Sequence, residues 1–249
     1  MAALIELREG ERIDDLIRED LKIIQNPDYF CFSIDAVLLA HFATLSKEDT
    51  VVDLGTGTGV IPLLLTSRAA GLQVQGLEIQ PGVAEMAARS VVLNGLENHI
   101  TIQAGDLRQV EGIFQPGGYD LVTANPPYQP VGKGRINPCE AKALARHELA
   151  CNLAEVVKAG AFLLKSGGRL AMVHRSERLT ELLTLMGANR VTPIRLRPVY
   201  ARKGQKAGLI LVEGIKGGKG DLEILPPLII YEETGEYTEE IMSIYFHGG

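Results

Sequence analysis

The chain has 249 residues, 46% hydrophobic and 22% charged, with a formal net charge of −6. That balance excludes a disordered, collagenous or coiled-coil protein and fits a globular chain large enough to bury its own core. The opening MAALIELREGERIDD is too acidic for a secretory leader, and no stretch approaches the roughly 18 uninterrupted apolar residues of a membrane span, so a cytoplasmic protein without a membrane partner is expected.

In chain order, residues 1–30 read as a short extension ahead of a single domain over 31–249. Asp35 can cap a helix over Ala36–Ala43. The β-branched run Asp49–Leu54 reads as a strand ending in glycines, followed by a helix over Val60–Ala70 with Pro62 tolerated in its first turn. A strand at Leu72–Glu78 leads to a helix at Val83–Leu93, where Val83, Met86, Ala87, Ser90 and Val91 share a face and Asn94-Gly95 supplies the stop. Strands follow at Ile100–Ala104, Tyr119–Ala124 and Arg169–Val173, the last reached through a helical stretch over Ala141–Leu164. Ser176 can cap a helix running to Met186. Ile194–Val199 and Leu209–Glu213 are two strands with no helix between them, hence an antiparallel pair. Alternating strands and helices of this kind predict an α/β fold with a mostly parallel sheet covered by helices on both faces.

Charge is uneven along the chain. Residues 1–50 carry eleven acids against five bases, residues 190–220 eight bases against Glu213 alone, and residues 221–249 seven acids and no base. A local basic face can therefore exist on an acidic protein. Cys31, Cys139 and Cys151 lack the spacing of a metal knuckle, and the five histidines form no His-x-x-x-His pair, so free thiols and no metal are expected.

Asp53-Leu54-Gly55-Thr56-Gly57-Thr58-Gly59 joins a strand to a helix. Alternate glycines remove each Cβ where the chain turns off the sheet and a ligand approaches the backbone. The carboxylate of Asp53 would repel a pyrophosphate and attract an amine, and no lysine follows to make an ATPase loop. Glu78, with Ile79 after it, ends the next strand about 20 residues on, where a carboxylate can take both hydroxyls of a ribose for about 1.5–3 kcal/mol per charge-assisted bond. Asp106, followed by Leu107, ends the third strand and can meet an adenine amino group. Taken singly, each acid is equally a helix cap. Asn125-Pro126-Pro127-Tyr128 follows the fourth strand. Its prolines fix the backbone and remove donors, so an amide oxygen beside a rigid carbonyl makes a two-acceptor clamp for an NH2 group, and Tyr128 can stack on the ring carrying it.

In this order and spacing, Asp53–Gly59, Glu78, Asp106 and Asn125–Tyr128 resemble the class I S-adenosylmethionine-dependent methyltransferases that act on exocyclic or amide nitrogens. Phe30–Leu39, Arg146-His147-Glu148 and Gly208–Pro227 are similar to the bacterial tRNA1(Val) adenine-N6 methyltransferase group. The resemblance implies a Rossmann-like sheet of seven strands with the last antiparallel, and S-adenosylmethionine over the glycine loop. It implies a cofactor set of Asp53, Gly55, Thr56, Gly57, Thr58, Gly59, Glu78, Ile79, Asp106, Leu107 and Asn125. It also implies a target amine held by Asn125 and Pro126, with Pro127 stiffening the turn and Tyr128 stacked on the base. Ser33 and Asp35 match a segment that closes over the cofactor in relatives.

For a tRNA partner, Arg195, Arg197, Arg202, Lys203 and Lys206 are candidates to hold the backbone, with Lys133 and Arg135 flanking the flipped base; a solvated hairpin tip is the plain alternative. Three other readings stand: a protein glutamine methyltransferase, for which fifty residues ahead of the loop leave little room for a substrate domain; a guanine-N2 methyltransferase, which Tyr128 disfavours; and a non-catalytic RNA-binding subunit. The sequence does not fix the oligomeric state.

Overall fold

The computed structural model describes residues 5–16, 20–29, 31–126 and 152–246. Strands β1 (Arg12–Asp15) and β2 (Lys22–Gln25) form an antiparallel hairpin within the predicted extension. Helix α1 (Ile34–Phe42) follows, then β3 (Thr50–Leu54), α2 (Val60–Thr66), β4 (Gln73–Glu78), α3 (Pro81–Leu93), β5 (Ile100–Ala104) and β6 (Tyr119–Ala124). Beyond the undescribed segment come α4 (Leu153–Leu163), β7 (Leu164–Arg175), α5 (Leu179–Ala188), β8 (Val191–Tyr200), β9 (Ala207–Lys216), β10 (Glu223–Ile224), β11 (Leu228–Ile229) and α6 (Glu239–Phe246). Among the described residues no helix is long and apolar enough to cross a membrane.

The central sheet runs β5-β4-β3-β6-β7-β9-β8, with β10 and β11 both beside β8. β3 through β7 pair in parallel, whereas β9 lies antiparallel to both β7 and β8. This is the expected α/β sheet with its antiparallel strand, extended at one edge by two short strands parallel to β8. The run Val51-Val52-Asp53-Leu54 is apolar but for Asp53 because both faces are covered: Val51 packs with Leu38 and Leu63 on one side, Val52 and Leu54 with Val157 and Leu182 on the other.

The chain moves outward from β3 to β4 and β5, then returns to β6 on the other side of β3. That reversal opens a crevice at the C-terminal rim between β3 and β6, the place where open α/β sheets bind ligands. The hairpin β1–β2 is tied to α3: Ser90 Oγ accepts from the Ile24 amide at 2.9 Å, and Asn94 Oδ1 accepts from the Lys22 amide at 2.8 Å.

Four local expectations are corrected. Helix α1 starts at Ile34 with Ser33 at its N-cap, so Asp35 lies within its first turn and is not the cap. The helix from Val60 stops at Thr66, where Thr66 and Ser67 hydroxyls turn back to the carbonyls of Leu63 and Leu64. Ser176 caps no helix, because its hydroxyl donates to the Ala207 carbonyl; a single 3-10 turn over Ser176–Arg178 precedes α5. The strand predicted at Arg169–Val173 starts five residues earlier and runs to Arg175. Of the helical stretch expected over Ala141–Leu164, residues before 152 lie outside the described part of the chain.

Candidate active site

Because β3, β4, β5 and β6 are parallel, the loops after them leave one rim of the sheet. Leu54 pairs with Leu77 on one side and Ala124 on the other, so the glycine loop emerges between Glu78 and Asn125. Adjacent strands lie ~4.8 Å apart, which puts the glycine turn and the proline-stiffened corner on neighbouring strand ends. The amides of Gly55 and Thr56 both donate to the Leu77 carbonyl, at 2.8 and 3.0 Å, and draw the loop toward β4.

Gly55 and Gly57 have φ of +71° and +56°, and a Cβ on either would meet nothing within 4 Å. Their backbone conformation excludes most side chains, and the space they face is open to a ligand. Glu78 is buried. Its Oε2 accepts from the Gly57 amide at 3.0 Å and its Oε1 from the Gln80 amide at 2.9 Å, so one carboxylate pins both the loop and the entry to α3.

Asp53 has no exposed surface. One oxygen, Oδ1, accepts from the Thr123 hydroxyl at 2.7 Å, while Oδ2 is buried with no hydrogen-bond partner among the described residues. Burial pushes its carboxyl up to about 7, the Thr123 and Thr56 hydroxyls act against the rise, and the nearby Glu78 charge adds to it. A buried carboxylate oxygen without a donor costs free energy that an incoming amine would recover. The donor set therefore fits a cofactor carrying an ammonium beside a ribose: Asp53 for the amine, the open glycine backbone for the body, and Glu78 for vicinal hydroxyls.

Asp106 is engaged locally. Its Oδ1 accepts from the Arg108 amide at 2.9 Å, and its Oδ2 pairs with the Arg108 guanidinium at 2.6 Å, which holds its carboxyl below the usual carboxylate range. It caps the 3-10 turn Leu107–Gly112 at the end of β5, and contact with an adenine amine requires exchanging part of that fork. Ile79 and Leu107 are half-buried beside their acids, Thr56 and Thr58 are buried, and Gly59 begins α2. Asn125 is half-buried and Pro126 buried at the end of β6; Pro127, Tyr128, Lys133 and Arg135 lie outside the described residues.

The C-terminal basic residues fall into two sets. Arg195 reaches buried Glu213 at 3.3 Å and lies 4.6 Å from the centre of the Phe42 ring, and Arg197 pairs with Glu240. Both arginines lie in the body of β8 and are held by those partners. Arg202, Lys203 and Lys206 are exposed on the β8–β9 turn. Arg175 at the end of β7 pairs with Leu209 at the start of β9, so this turn leaves the same rim as the glycine loop, three to four strand spacings or roughly 14–19 Å away. Thr123, which the sequence places only in a strand, is the added member of the site. Its one signal is a hydroxyl in the otherwise apolar run Leu121–Ala124, two residues before Asn125.

A family model described as "Methyltransferase small domain" matches residues 21–188. A tRNA1(Val) (adenine(37)-N6)-methyltransferase of Porphyromonas gingivalis is 30% identical over 220 residues, covering 84% of this chain and 85% of that one. The protein of the same description from Aeromonas salmonicida is 27% identical, covering 72% and 73% of the two chains. A solved structure of a predicted O-methyltransferase from Agrobacterium tumefaciens superposes with a TM-score of 0.69 at 23% identity, over 85% of this chain and 95% of the other. Geranyl diphosphate C-methyltransferase from Streptomyces coelicolor does so with a TM-score of 0.53 at 14% identity, over 74% and 77%. Both likenesses are of fold.

Proposed function

The chain belongs to the methyltransferase small domain family of S-adenosylmethionine-dependent enzymes, and from that membership we propose that it methylates N6 of an adenine in tRNA. The observation that carries this reading is the adjacency of two strand ends: β3, with buried Asp53 and the open glycine turn, beside β6, with Asn125 and Pro126. The acceptor named for the relatives, an adenine N6 of tRNA, is the amine such a clamp suits.

When bound, S-adenosylmethionine supplies an electrophilic methyl group on a sulfonium. In this reading Asp53 receives its amino group, Gly55 and Gly57 allow backbone approach, Glu78 takes the ribose hydroxyls, and Asp106 lies toward the adenine. Asn125 and Pro126 accept the two N–H bonds of the target amine, which orients its nitrogen and draws its lone pair out of conjugation with the ring. Neither is a base. Their contribution is positioning, an effect that reaches about 7–11 kcal/mol in well-aligned reactions, and the proton leaves for solvent once alkylation has made the nitrogen acidic. Tyr128 stacks on the base, which must leave its own stack to arrive there. The exposed cations Arg202, Lys203 and Lys206, on the same rim as the clamp, suit a phosphate backbone.

Incubation with S-adenosylmethionine labelled in its methyl group, alongside either total bacterial tRNA or a release-factor protein, tests the reading. Label recovered as N6-methyladenosine after digestion of the tRNA is the expected result. Label on a protein glutamine, on guanine N2, or on neither substrate despite tight cofactor binding would overturn it.

A further inference from the structure

Asp53 and Thr123 lie opposite one another in the β3–β6 register, 70 positions apart in the chain, and neither has exposed surface. The Thr123 hydroxyl donates to Oδ1 at 2.7 Å and leaves Oδ2 as the buried oxygen in need of a donor. That bond holds the carboxylate in one orientation across the β3–β6 pair. Thr123 also stands on the strand that delivers Asn125, so the same residue ties the cofactor strand to the acceptor strand.

We propose that Thr123 is a positioning residue for cofactor binding: it fixes the rotamer of Asp53 and favours its ionised form, so that Oδ2 is presented as an anion to the amino group of the ligand. This rests on the assignment of Asp53 to that amino group and is independent of the methyl acceptor. The groups bearing on Asp53 are the hydroxyls of Thr123 on β6 and Thr56 in the loop, and the Glu78 carboxylate on β4. Thr123 is the one among them that reaches Asp53 from the acceptor strand. A hydrogen bond to the charged form holds a carboxyl down. Its loss is expected to raise the Asp53 carboxyl by about one pKa unit, from about 7.

The test is calorimetric titration of the full chain with S-adenosylhomocysteine between pH 6 and 9, for wild type, Thr123→Val, Thr123→Ser and Asp53→Asn. The ligand's own amino titration enters every protein alike and cancels in the ratio of Kd values. For Thr123→Val that ratio to wild type is expected to be about fivefold larger at pH 7 than at pH 9, where both carboxyls are ionised and any remaining difference reads the lost orientation. Thr123→Ser, which keeps the hydroxyl, should follow wild type. A ratio that is constant across pH, or equal to one throughout, overturns the proposal, since a purely structural loss does not track ionisation. If Asp53→Asn binds as wild type at every pH, the assignment of Asp53 to the amino group fails instead. Should Thr123→Val not fold, Thr123→Cys keeps the volume with a weak donor and must shift in the same direction. The carbon-13 titration of the Asp53 carboxyl in the ligand-free chain gives the same answer without a ligand: an upward move in the variant supports the proposal, and an unmoved midpoint overturns it.

Discussion

Replacing Glu78 with Gln tests the cofactor site through a residue whose two oxygens are both occupied. Oε2 accepts from the Gly57 amide at 3.0 Å and Oε1 from the Gln80 amide at 2.9 Å. Glutamine keeps one acceptor and sets an NH2 against the other amide, so one buried backbone donor loses its partner at a cost of about 1–3 kcal/mol. For the ligand, two hydroxyl bonds lose charge assistance, about 1–2 kcal/mol each. A smaller opposing effect comes from Asp53, whose carboxyl is held up in part by the Glu78 charge and is eased when that charge is removed. The expected balance is a rise in Kd for S-adenosylhomocysteine of roughly 10–100-fold, together with a Tm lowered by several degrees. Calorimetry and a thermal melt on the same preparation measure both. A lowered Tm with Kd within about twofold of wild type would refute the reasoning, because Glu78 would then only pin the glycine loop.

Asn125→Ala should lower the methylation rate by at least about 10²–10³-fold, the range for loss of one preorganised polar partner at a reacting group. Its Kd for S-adenosylhomocysteine should stay near wild type, which single-turnover kinetics and calorimetry together check. Neutralising Arg202, Lys203 and Lys206 to Gln should weaken tRNA binding without changing cofactor affinity. It should also flatten the slope of log K against log salt by about 0.7 for each phosphate that is no longer neutralised, read by filter binding between about 50 and 200 mM salt.

The main elements were legible because both faces of the sheet are buried. Runs such as Val51–Leu54 and Leu121–Ala124 are apolar but for Asp53 and Thr123, and glycines mark the rim where the chain turns. The order of motifs along the chain could then be read as an order of loops on that rim. The β1–β2 hairpin was not legible: Arg-Ile-Asp-Asp and Lys-Ile-Ile-Gln carry no clean alternation. Their pairing is supported by Ser90 and Asn94, whose bonds to β2 span 66 and 72 positions. Arg195 reads in the sequence as part of a basic cluster, yet its partner Glu213 lies opposite it across β8 and β9, a pairing that depends on register and not on charge pattern. Thr123 escaped for the same reason, since a β3–β6 neighbour cannot be known before the strand order is. Asp106 shows the converse: a local capping role is open to any acid at a strand end, and that is the bond it makes, through Arg108 two residues on.

Asp53 also shows what this site costs the fold. Its carboxyl is raised by burial from 3.8 to about 7 in the folded chain. A carboxyl with a folded pKa above its unfolded value favours folding fully below about pH 4, and that contribution is lost as pH rises through about 7. At about pH 8 the ligand-free protein therefore holds a buried charge for which Thr123 offers only a partial answer. Asp53→Asn removes the charge while leaving an oxygen for Thr123, so it should stabilise the ligand-free chain at about pH 8 by roughly 1–3 kcal/mol. It should also flatten the fall in stability between about pH 4 and 7 and abolish tight binding of S-adenosylhomocysteine. Urea melts across that pH range, with and without ligand, measure all three. A variant less stable than wild type in mild alkali, with the same slope below it, would mean that Asp53 is neutralised within the protein and holds no charge in reserve for a ligand.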